Sequence, residues 1–335
     1  MKISIIIPVY NKQRYLNTLL LQLQGQTFCD YECLLIDDGS TDGSGAICDG
    51  FAARDNRFHV FHIPNGGVSH ARNVGLDHAA GEYITFIDGD DEIHPEYLEN
   101  LYRCMESSGA DLVIGGFEKF WDNCDERRAF CHPAGAGCYA LEDLLPDFAN
   151  IQRTTGFYGY CWAKLFPAAV VEDIRFDESI RLAEDFDFYL KVYPLIKTVF
   201  LDDKPYYLYR QEAENSSVQV RDDQIDYVAQ LKINLCYRWF LQDMGSFLGK
   251  NKKIVEELIT NYLYFSLFYC SNQQIDTRFQ ELAAICSEHQ LYPQGKTFMQ
   301  KLLLGSLRYR SETGAKIVLG VYRGMRGIRN IWKGA

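Results

Sequence analysis

Residues 84–92 read Ile84-Thr85-Phe86-Ile87-Asp88-Gly89-Asp90-Asp91-Glu92. The segment opens as a buried-strand pattern and ends in a burst of carboxylates around a glycine. An apolar run closed by a turn signal reads as a core strand that delivers its last residues to a sheet edge. In open α/β sheets, ligands bind outside the carboxyl ends of the strands. Three aspartates and a glutamate gathered there repel one another unless a cation sits among them. Oxygen-only donors of this kind suit Mg²⁺ or Mn²⁺. The first expectation is therefore a metal–diphosphate site. Two simpler readings compete with it. Asp-Gly-Asp-Asp is also the composition of a solvated turn. A calcium loop would use Asp88, Asp90 and Glu92 at alternate positions and Glu99 at the twelfth, but its sixth position demands glycine and here holds Ile93. Pro95 also reads as the first turn of a following helix, and the calcium loop is rejected.

Upstream, Ser4-Ile5-Ile6-Ile7-Pro8-Val9-Tyr10 is a near-continuous apolar run, as expected of a parallel strand covered on both faces. Asn11 is placed to cap the next helix, where Tyr15, Leu16, Leu19, Leu20 and Leu23 recur at helical spacing. Glu32 to Ile36 is a second strand, ending in Asp37-Asp38-Gly39-Ser40-Thr41-Asp42. Ser40 or Asp42 caps a helix to about Arg54, and Phe58 to Ile63 is a third strand. Asn65-Gly66-Gly67 turns into a helix from Val68 to about Ala80. Glu82 to Ile87 is the strand quoted first, followed by a helix from Pro95 to Ser107 and a strand from Asp111 to Gly115. Strand and helix alternate, which predicts a doubly wound, mostly parallel α/β sheet. Polar clusters at Tyr10-Asn11, Asp37-Asp38 and Asp88 to Asp91 close three strands on one edge. Neither a Gly-x-Gly-x-x-Gly after the first strand nor a Gly-x-x-x-x-Gly-Lys occurs, so dinucleotide and P-loop readings lose their main support.

Residues 117–160 read as irregular, with Gly135-Ala136-Gly137 in a loop. Cys161-Trp162-Ala163-Lys164-Leu165-Phe166 follows, then Leu182-Ala183-Glu184-Asp185-Phe186-Asp187-Phe188-Tyr189. Phe186, Tyr189, Leu190 and Tyr193 form a helical stripe with Glu184 and Asp185 at its start. Carboxylates there interact favourably with the helix dipole; the functional alternative is a general base beside the metal site. Tyr206 to Arg210 reads as a last strand and Asn215-Ser216-Ser217 as a loop. From about Asp223 the pattern turns helical, and the stretch around Tyr262, Phe265 and Tyr269 is aromatic core or an oligomer interface.

The chain has 335 residues, room for one large domain and a smaller one. A hydrophobic share of 47% supports a proper core and excludes disorder. Eleven cysteines are scattered without a Cys-x-x-Cys pair, the pattern of core thiols in a reducing cytoplasm. Met1-Lys2-Ile3-Ser4 runs directly into a strand and does not read as a signal peptide. No run reaches the roughly 18 apolar residues of a membrane-spanning helix.

Taken together, these segments resemble bacterial family 2 glycosyltransferases of the GT-A fold. The pieces that carry the resemblance are Ile7-Pro8-Val9-Tyr10-Asn11, Ile36-Asp37-Asp38-Gly39-Ser40-Thr41-Asp42 and Asn65-Gly66-Gly67-Val68-Ser69-His70-Ala71-Arg72-Asn73-Val74-Gly75. Gly81-Glu82-Tyr83-Ile84, Asp88-Gly89-Asp90-Asp91, Trp162-Ala163-Lys164-Leu165 and Glu184-Asp185 follow in the family's order. The resemblance implies a Rossmann-like GT-A catalytic domain over residues 1–218 and a mainly helical region over 219–335. It implies a UDP-sugar donor, with Pro8, Val9, Tyr10, Asn11, Asp38, Gly67, Arg72, Asp88 and Gly89 around the nucleotide. Val9, Tyr10 and Asp38 would line the uracil pocket. Asp90 would bind Mn²⁺ or Mg²⁺ directly, and Asp88 would hold the ribose or the metal's water shell. Asp185 would be the catalytic base with Glu184 its neighbour, and Trp162 and Lys164 would build the acceptor side. Gly66-Gly67 departs from the usual Asn-x-Gly and still permits the turn. One base and no carboxylate nucleophile imply an inverting displacement, in capsule, exopolysaccharide or lipopolysaccharide assembly.

The net charge of −11 is uneven. Residues 296–335 carry nine Lys/Arg against Glu312, or +8, which leaves −19 elsewhere. From Leu302 to Trp332 the basic residues alternate with Leu303, Leu307, Ile317, Val321, Tyr322, Ile328 and Trp332, the pattern of a membrane-surface segment or of a packed helix with a basic face. Five glycines, from Gly305 to Gly327, weaken a continuous helix there. A peripheral place on the inner face of the membrane would suit a lipid-linked glycan acceptor. The acidic remainder does not suit nucleic acid. The rival readings are a sugar nucleotidyltransferase, which wants a Gly-rich basic loop that Pro8-Val9-Tyr10-Asn11 does not provide, and a non-catalytic sugar-nucleotide-binding or scaffold protein of the same fold.

Overall fold

The computed structural model of the chain describes residues 1–122, 124–211, 225–271 and 273–320. They fall into two compact units, Met1–Gln219 with Phe240–Asn251, and Val220–Trp239 with Lys252–Ala335. The expected boundary at 218, the loop Asn215-Ser216-Ser217 and the tail residues Val321, Tyr322, Ile328 and Trp332 lie outside the described residues.

In the first unit, β1 (Ile3–Val9), α1 (Leu16–Gln24), β2 (Tyr31–Asp38), α2 (Ser44–Ala52), β3 (Phe58–Ile63), α3 (Val68–His78) and β4 (Tyr83–Phe86) alternate as expected. Every residue of β1 and β2 is buried, the reason β1 reads as a near-continuous apolar run; β2 carries Glu32, Asp37 and Asp38 in the same buried setting. Next come β5 (Glu92–Ile93), α4 (Tyr97–Ser108), β6 (Leu112–Ile114), β7 (Phe117–Trp121), β8 (Cys124–Phe130), β9 (Gly137–Ala140), α5 (Leu141–Leu144) and α6 (Phe148–Thr155). The unit closes with β10 (Lys164–Pro167), α7 (Glu184–Val192), β11 (Thr198–Leu201) and β12 (Tyr207–Gln211).

The main sheet has the order β3-β2-β1-β4-β10-β6-β11-β9. β3, β2, β1 and β4 are mutually parallel, which puts their carboxyl ends on one edge. β10 then enters antiparallel to both β4 and β6. The sheet is therefore parallel in its first half and mixed in its second. A smaller sheet, β5-β12-β7-β8, stands beside it. Residues 117–160, read as irregular, supply β7 and β8 to this sheet and β9 to the edge of the main one. β8 (CDERRAF) is exposed along nearly its whole length, so it lacks the alternation that marks a strand by sequence.

The capping expectation for Asn11 does not hold. α1 begins after Tyr15 without a side-chain cap. Asn11 adopts a left-handed φ of 52°, and its Oδ1 accepts from Thr41 N at 2.8 Å, tying the β1–α1 loop to the β2–α2 loop. Neither Ser40 nor Asp42 occupies the N-cap of α2, which is Gly43; Asp42, two residues before the helix, accepts from Ser44 N at 2.9 Å.

Helices α8 (Tyr227–Asp243), α9 (Gly249–Phe268), α10 (Ile275–Glu288) and α11 (Phe298–Arg308) follow, and residues 312–320 are helical as well. Within the second unit, Tyr227 stacks on Tyr269 at 5.3 Å and meets Phe265 at 5.4 Å, so these aromatics pack internally. α11 opens on a capping box of Thr297 and Gln300 and passes through Gly305 unbroken. None of the described helices is long and apolar enough to cross a membrane.

Candidate active site

One cavity of about 700 Å³ lies at the carboxyl edge of the parallel half-sheet. Pro8, Val9 and Tyr10 line it from β1, Asp38 from β2, and Asp88, Gly89 and Asp90 from the end of β4. Gly67 and Arg72 reach it from the start of α3, and Glu184 and Asp185 from the start of α7. Trp162 lines the opposite wall. Two of the expected residues do not line it. Asn11 is the loop clamp described above. Lys164 is buried, with Nζ donating to Phe157 O at 3.1 Å and to Tyr160 O. Burial pushes its ammonium down to about 7. Lys164 thus holds the 157–160 turn in place instead of facing the cavity.

Asp38 is 2% exposed and organises the glycine loop. Its Oδ1 accepts from Gly66 N at 2.7 Å and its Oδ2 from Gly67 N at 2.9 Å, while Asn65 Nδ2 donates to Asp38 O at 2.9 Å. Gly67 has φ 92°, a backbone few side chains tolerate. Tyr10, 47% exposed, presents an open ring beside this loop.

The acidic burst divides in two. Asp88 and Asp90 face the cavity. Asp91 is buried, accepting from Tyr207 Oη at 2.6 Å and from Arg210 N at 2.8 Å; burial and the charges of Asp90 and Asp88 hold its carboxyl well above the usual range. Glu92 pairs with Arg210. The cations that relieve the repulsion are side chains: Arg72 on Asp88, Lys12 on Asp90 and Arg210 on Glu92. Burial, reinforced by Asp90, raises the Asp88 carboxyl, and Arg72 opposes the rise.

Arg72 is buried and forks. Its Nη1 donates to Glu184 Oε1 at 2.8 Å and its Nη2 to Asp88 Oδ1 at 3.0 Å, with the guanidinium 5.3 Å from the Phe176 ring centre. Glu184 is therefore pinned. Asp185 accepts at 2.7 Å from Phe186 N, in its own helix. Burial and the Glu184 charge push the Asp185 carboxyl up to about 7, with Arg72 pulling the other way. That suits a proton acceptor working near neutrality. The two acids of the pair are thus chemically distinct, Glu184 held by Arg72 and Asp185 a raised carboxyl that lines the cavity.

The far wall is aromatic. Trp162 is stacked between Tyr160, at 4.3 Å, and Tyr207, at 4.6 Å. Tyr160 and Tyr209 line the cavity with it, as do Lys12, Asn65 and Arg181. Of these, only Asn65 stood out in the sequence, as the start of the Asn65-Gly66-Gly67 turn, and none was named as a site residue. Lys12 was within reach of the argument, because it directly follows the polar end of β1. Tyr160 sits in a stretch read as irregular, and its place depends on chain contacts that no local pattern carries.

Among the described residues no group of three His, Cys, Asp or Glu side chains is arranged to hold a metal. Asp88 and Asp90, with side chains 30% and 28% exposed, offer two carboxylates into one cavity. Mg²⁺ is commonly held by one or two carboxylates together with substrate phosphates and waters, not by an all-protein cage. The residues therefore fit a divalent ion that is completed by a diphosphate.

A parallel half-sheet whose strand ends line one cavity is the architecture of a nucleotide-binding α/β protein. Residues 4–157 match the family described as Glycosyl transferase family 2. Glycosyltransferase GlyG of Streptococcus pneumoniae is 32% identical over 217 residues, covering 63% of this chain and 71% of GlyG. Glycosyltransferase GlyA of the same organism is 36% identical over 214 residues, covering 62% of this chain but 30% of GlyA. The chain belongs to glycosyltransferase family 2. Its fold matches the crystal structure of S. aureus TarS 1-349 in complex with UDP-GlcNAc, with a TM-score of 0.65 and 22% identity over 97% of this chain and 92% of that one. The sheet is that of the GT-A fold, followed by a helical C-terminal region.

Proposed function

We propose that residues 1–218 form a catalytic domain that transfers a sugar from a UDP-sugar to a hydroxyl of a glycan or lipid-linked glycan, with inversion. The observation that carries this reading is the position of Asp185. It is a carboxylate raised toward neutrality, in the same cavity as Asp88 and Asp90 but on a different element. Asp185 takes the proton of the acceptor hydroxyl, whose oxygen attacks the anomeric carbon from the face opposite the leaving UDP. No second carboxylate is needed as nucleophile. Val9, Tyr10 and Asp38 receive the uracil, and Arg72 fixes Asp88 and Glu184 around the nucleotide. Asp88 and Asp90 would hold Mn²⁺ or Mg²⁺, which neutralises charge on the leaving diphosphate. Trp162, with Tyr160 and Tyr209, forms the acceptor wall, and Lys164 supports it from behind.

Residues 219–335 form the helical region of this reading. Phe298, Tyr309 and Ile317 are 74%, 78% and 61% exposed, close in sequence to Lys301, Arg308 and Arg310. This mixture supports a peripheral contact with anionic lipid, where a lipid-linked acceptor would be met.

The test is UDP release from a panel of UDP-sugars with Mn²⁺, Mg²⁺ or EDTA, for wild type and Asp185→Asn. Metal-dependent release from one donor, with donor binding retained and transfer lost in Asp185→Asn, supports the reading. A chain that binds no UDP-sugar with any metal would overturn it.

A further inference from the structure

Lys12 pairs with Asp90 and has no part in the transfer proposed above. Its backbone is fixed on both sides: the N–H donates to Ser44 Oγ at 2.8 Å, and the carbonyl accepts from Tyr15 N at 2.9 Å and Leu16 N at 3.0 Å. The left-handed turn at Asn11 directs the side chain toward the end of β4. There its stem crosses Gly89, where an added Cβ would lie 3.5 Å from Lys12 Cγ. The ammonium ends on Asp90 Oδ2, with the two side chains 32% and 28% exposed, and both residues line the cavity. The ammonium thus stands against the carboxylate best placed for direct metal binding. A divalent ion coming onto Asp90 must displace Lys12 or sit beside it against cation–cation repulsion. Lysine is suited to such an exchange, being a compact charge with three donors on a flexible four-carbon stem.

We infer that Lys12 is a tethered counter-cation that holds Asp90 until a nucleoside diphosphate arrives, and that its transfer from Asp90 to the diphosphate couples metal binding to nucleotide binding. With Arg72 on Asp88 and Lys12 on Asp90, the carboxylates are balanced before any metal binds. A divalent ion alone therefore gains little from the site. A diphosphate brings new negative charge that gives the Lys12 ammonium a second partner and frees Asp90 for the metal. Coupling of this kind is reciprocal: the factor by which UDP strengthens the metal is the factor by which the metal strengthens UDP. The inference rests on the metal reading of Asp88 and Asp90.

The experiment is a titration of the full chain with Mn²⁺, following free Mn²⁺ by electron paramagnetic resonance, with and without saturating UDP. In wild type, UDP tightens Mn²⁺ binding by a factor within the roughly 5–150-fold span of ordinary couplings. In Lys12→Met, Mn²⁺ alone binds about tenfold tighter and the tightening by UDP shrinks to a few-fold. Lys12→Gln repeats the measurement should the methionine variant not fold. Unchanged Mn²⁺ affinity and unchanged coupling in the variant, or loss of Mn²⁺ binding, overturns the inference and leaves the metal site standing. A wild type that takes up no Mn²⁺ even with UDP overturns the metal reading, and the inference falls with it.

Discussion

Arg72 Nη1 donates to Glu184 Oε1 at 2.8 Å, joining residues 112 positions apart in the chain. The contact locks the N-terminus of α7 to α3, and the second arm of the fork locks Asp88 to both. One buried cation thus sets the relative positions of Asp88, just beyond β4, and the start of α7. Removing it leaves two carboxylates uncompensated in a desolvated place. Breaking one side of a buried ion network costs about 3–5 kcal/mol. Arg72→Met is expected to lose that much in urea unfolding, together with most of its donor turnover. Arg72→Lys keeps the charge but not the fork, so it falls between the two.

With Asp185 as the proposed base, its titration is expected to set the acid side of the pH profile. Its folded carboxyl is raised to about 7 from 3.8, so below 7 it is protonated and cannot accept the acceptor's proton. Turnover should climb as pH rises through about 7 and fall roughly tenfold per unit below it. The stability sign is opposite. Between 3.8 and 7 the folded state holds a proton that the unfolded state has released, so stability drops as pH rises across that window. Asp185→Asn should therefore be inactive in transfer yet more stable than wild type at pH 8. An Asp185→Asn chain that melts earlier than wild type at pH 8 contradicts the burial argument.

What could be seen in the sequence divides along physical lines. β1 was legible because burial on both faces writes a near-continuous apolar run, and the acids that end β2 and follow β4 marked the carboxyl edge of the sheet. β8 was not, because an exposed edge strand places no constraint on its side chains. Asp91 and Glu92 read as part of one acidic cluster with Asp88 and Asp90. Their partner Arg210 lies about 120 residues on, and only the pairing of β5 with β12 turns them away from the cavity. Asn11 read as a cap because its residue type favours caps, yet the same short amide also favours the left-handed turn it adopts. Lys164 was placed on the acceptor side by the resemblance carried in Trp162-Ala163-Lys164-Leu165; lysine is almost never fully buried unless paired, and its partners here are two carbonyls, invisible to any pattern of side chains.

Gly39 links a backbone constraint to nucleotide affinity. Its φ is 69°, and an added Cβ would lie 2.9 Å from Asn65 N. Asn65 begins the loop whose Gly66 and Gly67 amides bind Asp38. Gly39→Ala is expected to cost about 1–3 kcal/mol of backbone strain and to push that loop away from Asp38. UDP affinity should weaken in equilibrium titration under conditions where the variant is still fully folded. A Gly39→Ala chain with wild-type UDP affinity would show that the loop adjusts without consequence.

Lys164 carries the most direct test of burial. Its folded ammonium is lowered to about 7 from 10.5 because it is buried. Between those values the unfolded chain holds a proton that the folded chain has released, so this residue makes stability rise with pH across the window, by up to roughly 1.4 kcal/mol per unit. Below 7 the full cost of charging a buried lysine is present. Lys164→Met removes the titration but leaves the carbonyls of Phe157 and Tyr160 without their donor, each an unsatisfied group worth about 1–3 kcal/mol. These two effects separate by pH. The stability difference between wild type and Lys164→Met should grow in favour of wild type from pH 7 to pH 9, because only the wild type releases its proton there. Urea unfolding of both chains at the two pH values measures it. A difference that does not change with pH would mean that Lys164 keeps an ordinary ammonium in the folded protein, and that the turn carrying Tyr160 is held by a charged rather than a neutral amine.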